Sequence, residues 1–187
     1  MRTLLTLGLA MALTTAVMAQ RAELEIGDMA PDFTLQGTDG QTHQLSEYRG
    51  QTVVVAWFPR AFTTGCTIEC KSLAENGERI QAFDVTYFMA SVDSIEENTA
   101  FANATSVDLG ERGGVVEKEE ADFPMLADPT QATARAYGVL NDRSVADRWT
   151  FYINPDGRIA AIDKTVRPAT SAEDMIAQLA ELDTPMQ

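Results

Sequence analysis

The chain has 187 residues, a formal net charge of −14 and only two cysteines. This length suits a single domain that can bury a hydrophobic core. A surface this acidic repels nucleic acids and anionic lipids, so nucleic-acid binding and adsorption to acidic membranes are excluded as expected functions.

The first 19 residues are typical of a cleaved secretory signal peptide. Arg2 supplies the positive charge, and the apolar run over 4–17 is shorter than the ~20 residues that usually span a bilayer. Val17-Met18-Ala19 ends on the small residue that a signal peptidase requires. An uncleaved membrane anchor is the alternative. We therefore expect an exported, periplasmic protein whose residues 20–187 form one domain that is not attached to a membrane.

The predicted elements begin with a β-hairpin. Short strand patterns over 33–35 and 41–45 flank a turn over 37–40, which contains two glycines. The nearly continuous apolar run over 52–58 predicts a strand covered on both faces. Apolar spacing then predicts a helix over 67–83.

The rest of the chain continues to alternate between strand and helix patterns. Ser94 with Glu97 three residues later predicts a capping box at the start of a helix. The predicted elements are a strand over 85–92, a helix over 94–106, a charged surface loop with a possible short element over 107–122, a strand over 123–127, a helix over 130–137, strands over 149–153 and 158–163 joined by a turn, and a helix over 170–182.

This order indicates an α/β fold with a mainly parallel central sheet and helices on both faces. The two hairpins add antiparallel strands, so the central sheet is mixed. A cysteine at the start of the helix that follows a buried strand resembles the thioredoxin-like fold.

Both cysteines lie in the segment FPRAFTTGCTIEC, residues 58–70. A disulfide between Cys66 and Cys70 would close a very short loop, and such a bridge constrains the unfolded chain little. A redox or metal-binding role is therefore favoured over a structural one. Cys66 lies where the chain enters a helix, and a helix N-terminus favours the thiolate form of a cysteine.

The surrounding residues support a reactive site. Pro59 can end the strand because it has no N–H to donate, and Gly65 lets the backbone come close to a substrate. The pattern Pro59-x-x-x-Thr63-x-x-Cys66 matches the signature of the peroxiredoxins. Its flanks resemble the Q-type subfamily, also called bacterioferritin comigratory protein. Further similarity lies in the opening at 27–33 and in Arg148-x-x-Phe151, and the resemblance covers about residues 25–182.

The resemblance implies a role for each matching residue. Cys66 would attack hydrogen peroxide or an organic hydroperoxide and become a sulfenic acid. Thr63 would hydrogen-bond the peroxide, Arg148 would hold the thiolate and polarise the O–O bond, and Pro59 would shield the site from water. Arg143 lies close in sequence and could take the place of Arg148.

The resemblance also implies the partners. No cofactor or metal is expected. An exported thioredoxin-like protein or another thiol would supply the electrons, and the protein would be a monomer or a homodimer. Outside the motif, we expect Glu69 to be a first-turn acid that complements the helix dipole and His43 to be a surface residue.

Cys70 departs from the Q-type pattern, which usually has the second cysteine five residues after the first. At four residues the two Cβ atoms lie ~5–6 Å apart on one helix face, whereas a disulfide needs ~3.5–4.5 Å. A bridge therefore requires the first turn to unwind. Cys70 is either the resolving cysteine or a buried structural thiol, in which case an external thiol would resolve Cys66.

Two other protein classes are alternatives. The spacing Cys-x-x-x-Cys also resembles the Sco-type copper chaperones, in which thiolates suit Cu(I). That family needs a histidine downstream of the cysteines, but His43 is the only histidine of the chain and lies upstream. A thiol-disulfide oxidoreductase would need Cys-x-x-Cys. Neither alternative explains Pro59 and Thr63.

Overall fold

A computed structural model describes residues 23–111 and 113–187. The predicted signal peptide, residues 1–19, lies outside the described residues. Within the described ranges, no helix combines the length and the apolar character needed to cross a membrane.

The described ranges contain nine strands and five α-helices. The strands are β1 Thr34–Gly37, β2 Thr42–Gln44, β3 Thr52–Trp57, β4 Val85–Ser91, β5 Ser106–Asp108, β6 Val115–Glu117, β7 Met125–Ala127, β8 Thr150–Ile153 and β9 Ile159–Asp163. The α-helices are α1 Thr64–Ala74, α2 Gly77–Gln81, α3 Ile95–Asn103, α4 Ala132–Tyr137 and α5 Ser171–Glu181, and short 3₁₀ helices cover Leu45–Tyr48 and Pro168–Thr170.

Seven strands form one mixed sheet in the order β2-β1-β7-β4-β3-β8-β9. The predicted N-terminal hairpin is present as β1 and β2, and the predicted final hairpin forms the opposite edge as β8 and β9. Parallel pairing is confined to β3 with β4 and β4 with β7. The sheet is therefore less parallel than expected, because β1 pairs antiparallel with β7 and β8 pairs antiparallel with β3.

Two hydrophobic clusters cover the two faces of the sheet. Alternate residues of β3 divide between them: Val53 and Val55 belong to the cluster that includes α4, and Val54 and Ala56 to the cluster that includes α1 and α5. All four are buried. Because both faces of the sheet are covered, β3 does not alternate between apolar and polar residues, as its sequence predicted.

The helix predicted over 67–83 is two helices. α1 begins earlier, at Thr64, and ends at Ala74, and α2 begins at Gly77. A Cβ at Gly77 would lie 2.0 Å from Oδ2 of Asp122, so any larger residue at this junction would displace the Asp122 side chain. The loop predicted over 107–122 contains a small separate sheet, because β5 and β6 pair as an antiparallel hairpin.

Candidate active site

The segment between β3 and α1 is fixed by hydrogen bonds to its neighbours. The amide of Phe58 donates to Ala90 O, and that of Ala61 donates to the buried carboxylate of Asp93 at 2.9 Å. Pro59 lies half-buried between these two anchors. The loop therefore delivers the chain to the start of α1 along a defined path.

Thr63 occupies the N-cap position of α1, with an extended backbone. Its hydroxyl is exposed and donates to Arg60 O at 2.9 Å instead of capping a helix amide. Its carbonyl accepts two hydrogen bonds from Thr67, one from the amide and one from the hydroxyl. The first turn of α1 is thus closed by both the main chain and a side chain.

Cys66 is the third residue of α1 and has 0% of its surface exposed. The guanidinium of Arg148 donates from Nη2 to the Cys66 sulfur at 3.2 Å. Gly65 makes this approach possible, because a Cβ there would lie 2.9 Å from the same nitrogen. The site thus combines a cysteine in the first turn of a helix with a cation directed at its sulfur.

The pairing of β8 with β3 brings Arg148 to Cys66. This arginine precedes β8, which pairs antiparallel with β3, and the amide of Trp57 donates to Trp149 O at 2.9 Å. Burial opposes the charge of Arg148, but the attraction of Glu69 and of the Cys66 sulfur outweighs it and raises the pKa of Arg148. The guanidinium is therefore always charged.

Glu69 is part of this site, and its predicted role as a first-turn acid is wrong. Since α1 begins at Thr64, Glu69 lies in the second turn, where it is 1% exposed and accepts from Arg148 Nη1. Its Oε1 has no hydrogen-bond partner within the described ranges. Burial raises the pKa of Glu69 to about 7, against the charge and the hydrogen bond of Arg148.

Cys70 lies one turn further along α1 and is also fully buried. Both cysteines are free thiols in this structure. Burial raises the pKa of Cys70 to about 11, while the positive charge of Lys118 acts in the opposite direction. In this conformation Cys70 is therefore a protonated thiol at neutral pH.

Two residues from the sequence analysis lie elsewhere. Arg143 is exposed, and the guanidinium beside Cys66 is that of Arg148. His43 is buried, so its predicted surface position is wrong. It bonds Tyr48 Oη at 2.6 Å and packs edge-on against Phe88, a residue of the hydrophobic cluster on the face of the sheet opposite the cysteines.

His43 therefore does not supply the third ligand that a copper chaperone would need. In the described part of the chain, no three His, Cys, Asp or Glu side chains are grouped closely enough to hold a metal ion. The cysteines have Arg148 and Lys118 as their charged neighbours instead.

Sequence reasoning missed two buried ionic groups near the cysteines. For Glu69 the signal was available, because residues three apart on a helix share a face and Glu69 is three after Cys66. Lys118 had no such signal, since it follows β6 inside a segment whose charge predicted a surface loop.

The sequence and the structure were compared with known proteins. The model of the AhpC/TSA family matches residues 26–162. Peroxiredoxin Bcp of Escherichia coli (strain K12) is 30% identical over 143 residues, which are 73% of this chain and 83% of that protein.

Solved structures with the same fold include Peroxidoxin BcpB from Mycobacterium tuberculosis, with a TM-score of 0.71 at 22% identity over 85% of this chain and 98% of that chain. A variant of Peroxiredoxin Q from Xanthomonas campestris gives a TM-score of 0.68 at 22% identity, over 84% and 96%. These likenesses show the thioredoxin-like fold. The family match over most of the chain shows more: the chain belongs to the AhpC/TSA family and is a peroxiredoxin, a thiol-dependent peroxidase.

Proposed function

We propose that Cys66 is the residue that attacks the peroxide and that Cys70 resolves the product. The observation that carries this proposal is the 3.2 Å contact between Arg148 Nη2 and the Cys66 sulfur. A guanidinium at this distance favours the thiolate, which is the nucleophilic form of cysteine. The rival functions, copper delivery and disulfide exchange, give no reason for such an arginine.

In the first step the Cys66 thiolate attacks the terminal oxygen of the peroxide. An S–O bond forms, the O–O bond breaks, and the released alkoxide or hydroxide takes up a proton. Arg148 stays protonated and donates hydrogen bonds to the developing negative charge. Since Cys66 has no exposed surface, a peroxide reaches the sulfur only after neighbouring side chains move.

Thr63 and Pro59 would act at the entrance. The Thr63 hydroxyl donates to Arg60 O, so its lone pairs remain available to accept a hydrogen bond from the incoming peroxide. Pro59 is half-buried beside the loop and has no amide N–H for a water molecule. One residue would therefore orient the substrate, and the other would reduce access of water.

In the second step Cys70 would attack the sulfur of the Cys66 sulfenic acid. An S–S bond forms, the S–O bond breaks, and water leaves with the Cys70 proton. The four-residue spacing cannot close on an intact helix, so the first turn of α1 must open. An external thiol then reduces the bridge and restores both cysteines.

The compartment follows from the N-terminal sequence. The predicted signal peptide supports export. The substrates would then be the peroxides that reach the periplasm, and an exported thioredoxin-like protein or another thiol would be the reductant. Within the exporting cell the mature chain, residues 20–187, would act as a monomer or a homodimer.

The roles of the two cysteines can be tested by mass spectrometry after one equivalent of hydrogen peroxide. Wild type should contain a bridge within one chain between Cys66 and Cys70. Cys66→Ser should consume no peroxide through this site while keeping its fold by circular dichroism. Cys70→Ser should react once and then accumulate sulfenic acid or over-oxidise.

Wild-type peroxide consumption by Cys66→Ser would contradict the assignment of Cys66. A stable sulfenic acid at Cys66 in the wild type, with Cys70 still free, would instead show that an external thiol performs the second step.

A further inference from the structure

Lys118 is a buried lysine at the end of the β5–β6 hairpin. Only 5% of its surface is exposed. Its Nζ donates to Ala102 O at 3.1 Å and to Glu119 O at 3.0 Å, and it lies 5.6 Å from the centroid of the Phe101 ring. Within the described residues it has no carboxylate at ion-pair distance. Burying an ammonium without a counter-ion is costly. A function for this charge would explain why a lysine occupies the position.

The ammonium faces Cys70. Lys71 Nζ donates to Glu117 O at 2.8 Å, which holds this part of α1 against the end of β6. Cys70 and Lys118, the residues next to that pair, are both buried, and Lys118 lies on the ring of Phe101. Cys70 and Phe101 belong to the same buried cluster. Burial raises the pKa of Cys70 to about 11, and the charge of Lys118 opposes this rise.

The other titratable groups that face Cys70 do not help to ionise it. Cys66 and Glu69 on α1 act against a negative charge at this sulfur. Tyr87 on β4 also faces Cys70, and its hydroxyl donates to Asp122. Among the groups that influence Cys70 in the described part of the chain, Lys118 is the one cation.

We propose that Lys118 stabilises the thiolate form of Cys70 and so promotes its attack on the oxidised Cys66. This inference rests on the proposed role of Cys70 as the resolving cysteine. The Cys70 proton leaves with the oxygen of the sulfenic acid as water, so the step takes no proton from Lys118. Since only the first turn of α1 must open, Cys70 keeps its place beside Lys118 while Cys66 approaches.

The test is a single turnover of the reduced full-length protein with one equivalent of hydrogen peroxide. Samples quenched over time at several pH values between 6 and 9 are analysed for sulfenic acid and disulfide. Lys118→Met removes the charge and keeps the length of the side chain, and Lys118→Arg keeps the charge. Lys71→Met is the matched control, because Lys71 binds the same hairpin through Glu117 O but pairs with Glu75.

Lys118→Met should leave the first step within about twofold of wild type and slow disulfide formation. For each unit by which the thiol pKa rises, the thiolate fraction falls about tenfold while its nucleophilicity rises about threefold, so the net loss is about threefold. Since pH 6 to 9 lies below the pKa of Cys70, the rate should rise with pH in both proteins and the loss in Lys118→Met should be similar at every pH tested. Lys118→Arg should recover most of the wild-type rate, and Lys71→Met should behave as wild type.

Wild-type resolution at every pH in Lys118→Met would overturn the inference. Equal slowing in Lys71→Met would also overturn it, because the hairpin contact and not the charge would then matter. If Lys118→Met does not fold, Lys118→Gln provides the neutral side chain. Failure of the proposed function is distinguishable, because it appears in the wild type as the absence of any Cys66–Cys70 bridge.

Discussion

Arg148 holds two acceptors at once. Nη1 donates to Glu69, and Nη2 donates to the Cys66 sulfur. The guanidinium is planar and presents its donors in a fixed fork, so the position of the carboxylate also fixes the nitrogen that reaches the sulfur. Glu69 is therefore a positioning residue: it holds the arginine, and the arginine touches the reacting atom.

Loss of Arg148 should slow the reaction with peroxide strongly. We expect Arg148→Met to lower the second-order rate constant by roughly 10²-fold, which is typical when one preorganised donor to a developing charge is removed. Arg148→Lys should recover only part of the lost rate, because an ammonium cannot bond Glu69 and the Cys66 sulfur in the same geometry. Stopped-flow kinetics of peroxide consumption measure these rates.

Arg143→Met is the control for this prediction, since Arg143 is exposed. A large loss in Arg143→Met, with little change in Arg148→Met, would reverse the assignment of the two arginines.

Glu69 should make stability depend on pH. Burial raises its pKa in the folded chain to about 7 from an ordinary value of 4.5. Between these values the folded state binds more protons than the unfolded state, so stability falls as the pH rises. Relative to Glu69→Gln, the wild-type free energy of unfolding should fall by up to about 3 kcal/mol from pH 4.5 to pH 7.

Denaturant unfolding of both proteins at pH 4, 5.5, 7 and 8 measures this difference. Glu75→Gln is the control, because Glu75 is an exposed carboxylate. A relative stability that increases with pH would mean that the ion pair with Arg148 outweighs the burial of Glu69.

Only part of this site can be predicted from the sequence. The positions of Cys66 and Gly65 at the start of a helix can be predicted from local patterns. The contact with Arg148 cannot, because it joins residues 82 apart in sequence. The role of Glu69 was predicted wrongly because the predicted helix began at residue 67, whereas α1 begins at Thr64 and has Glu69 in its second turn.

At the scale of elements, the first turn of α1 is held more firmly than main-chain bonds alone would hold it. Thr67 is buried, and its hydroxyl and amide both donate to Thr63 O. The turn that must open for a Cys66–Cys70 bridge is therefore reinforced in the reduced protein.

We expect Thr67→Val to accelerate bridge formation after oxidation. Loss of the hydroxyl removes one hydrogen bond, worth about 1 kcal/mol net, and so populates the open turn up to about fivefold more. Amide hydrogen exchange over 64–68 should increase in parallel. Thr64→Val, at an exposed neighbouring threonine, should change neither quantity, and unchanged exchange in Thr67→Val would contradict the role of the hydroxyl.

Some elements were predicted well from local sequence, and others were not. The predicted cap of α3 is present, since Ser94 Oγ accepts from the amide of Glu97 at 3.2 Å. The break between α1 and α2 was missed although Asn76-Gly77 is a local turn signal, because the apolar spacing of the two helices continues across it. The hairpin β5–β6 lies in the charged segment that was expected to be a loop with a possible short element, and neither its pairing nor its start at Ser106 was predicted.

At the scale of the whole molecule, the site is assembled by the order of strands in the sheet. β3 carries the chain to Cys66, and β8 lies beside β3 with Ala56 opposite Thr150. Arg148 precedes β8 by two residues and therefore emerges next to α1. A fold with the same elements but a different neighbour for β3 would place this arginine elsewhere.

Export is a prediction for the whole chain. When residues 1–187 are expressed in a bacterium that has a periplasm, the periplasmic fraction should contain a protein that begins at Gln20. Cleavage after Ala19 would remove Arg2 and the apolar run. Intact-mass measurement identifies the mature N-terminus, and a membrane-bound protein that retains Arg2 would support the anchor instead.

Placing both cysteines on α1 links the stability of that helix to the redox equilibrium of the proposed bridge. The free energy that holds the first turn closed in the dithiol form is lost on oxidation and regained on reduction. In the resulting thermodynamic cycle, each ~1.4 kcal/mol of added stability in the turn raises the reduction potential of the pair by ~30 mV. Substitutions that touch neither sulfur, such as changes at Thr67, would therefore alter which thiol donors can regenerate the enzyme.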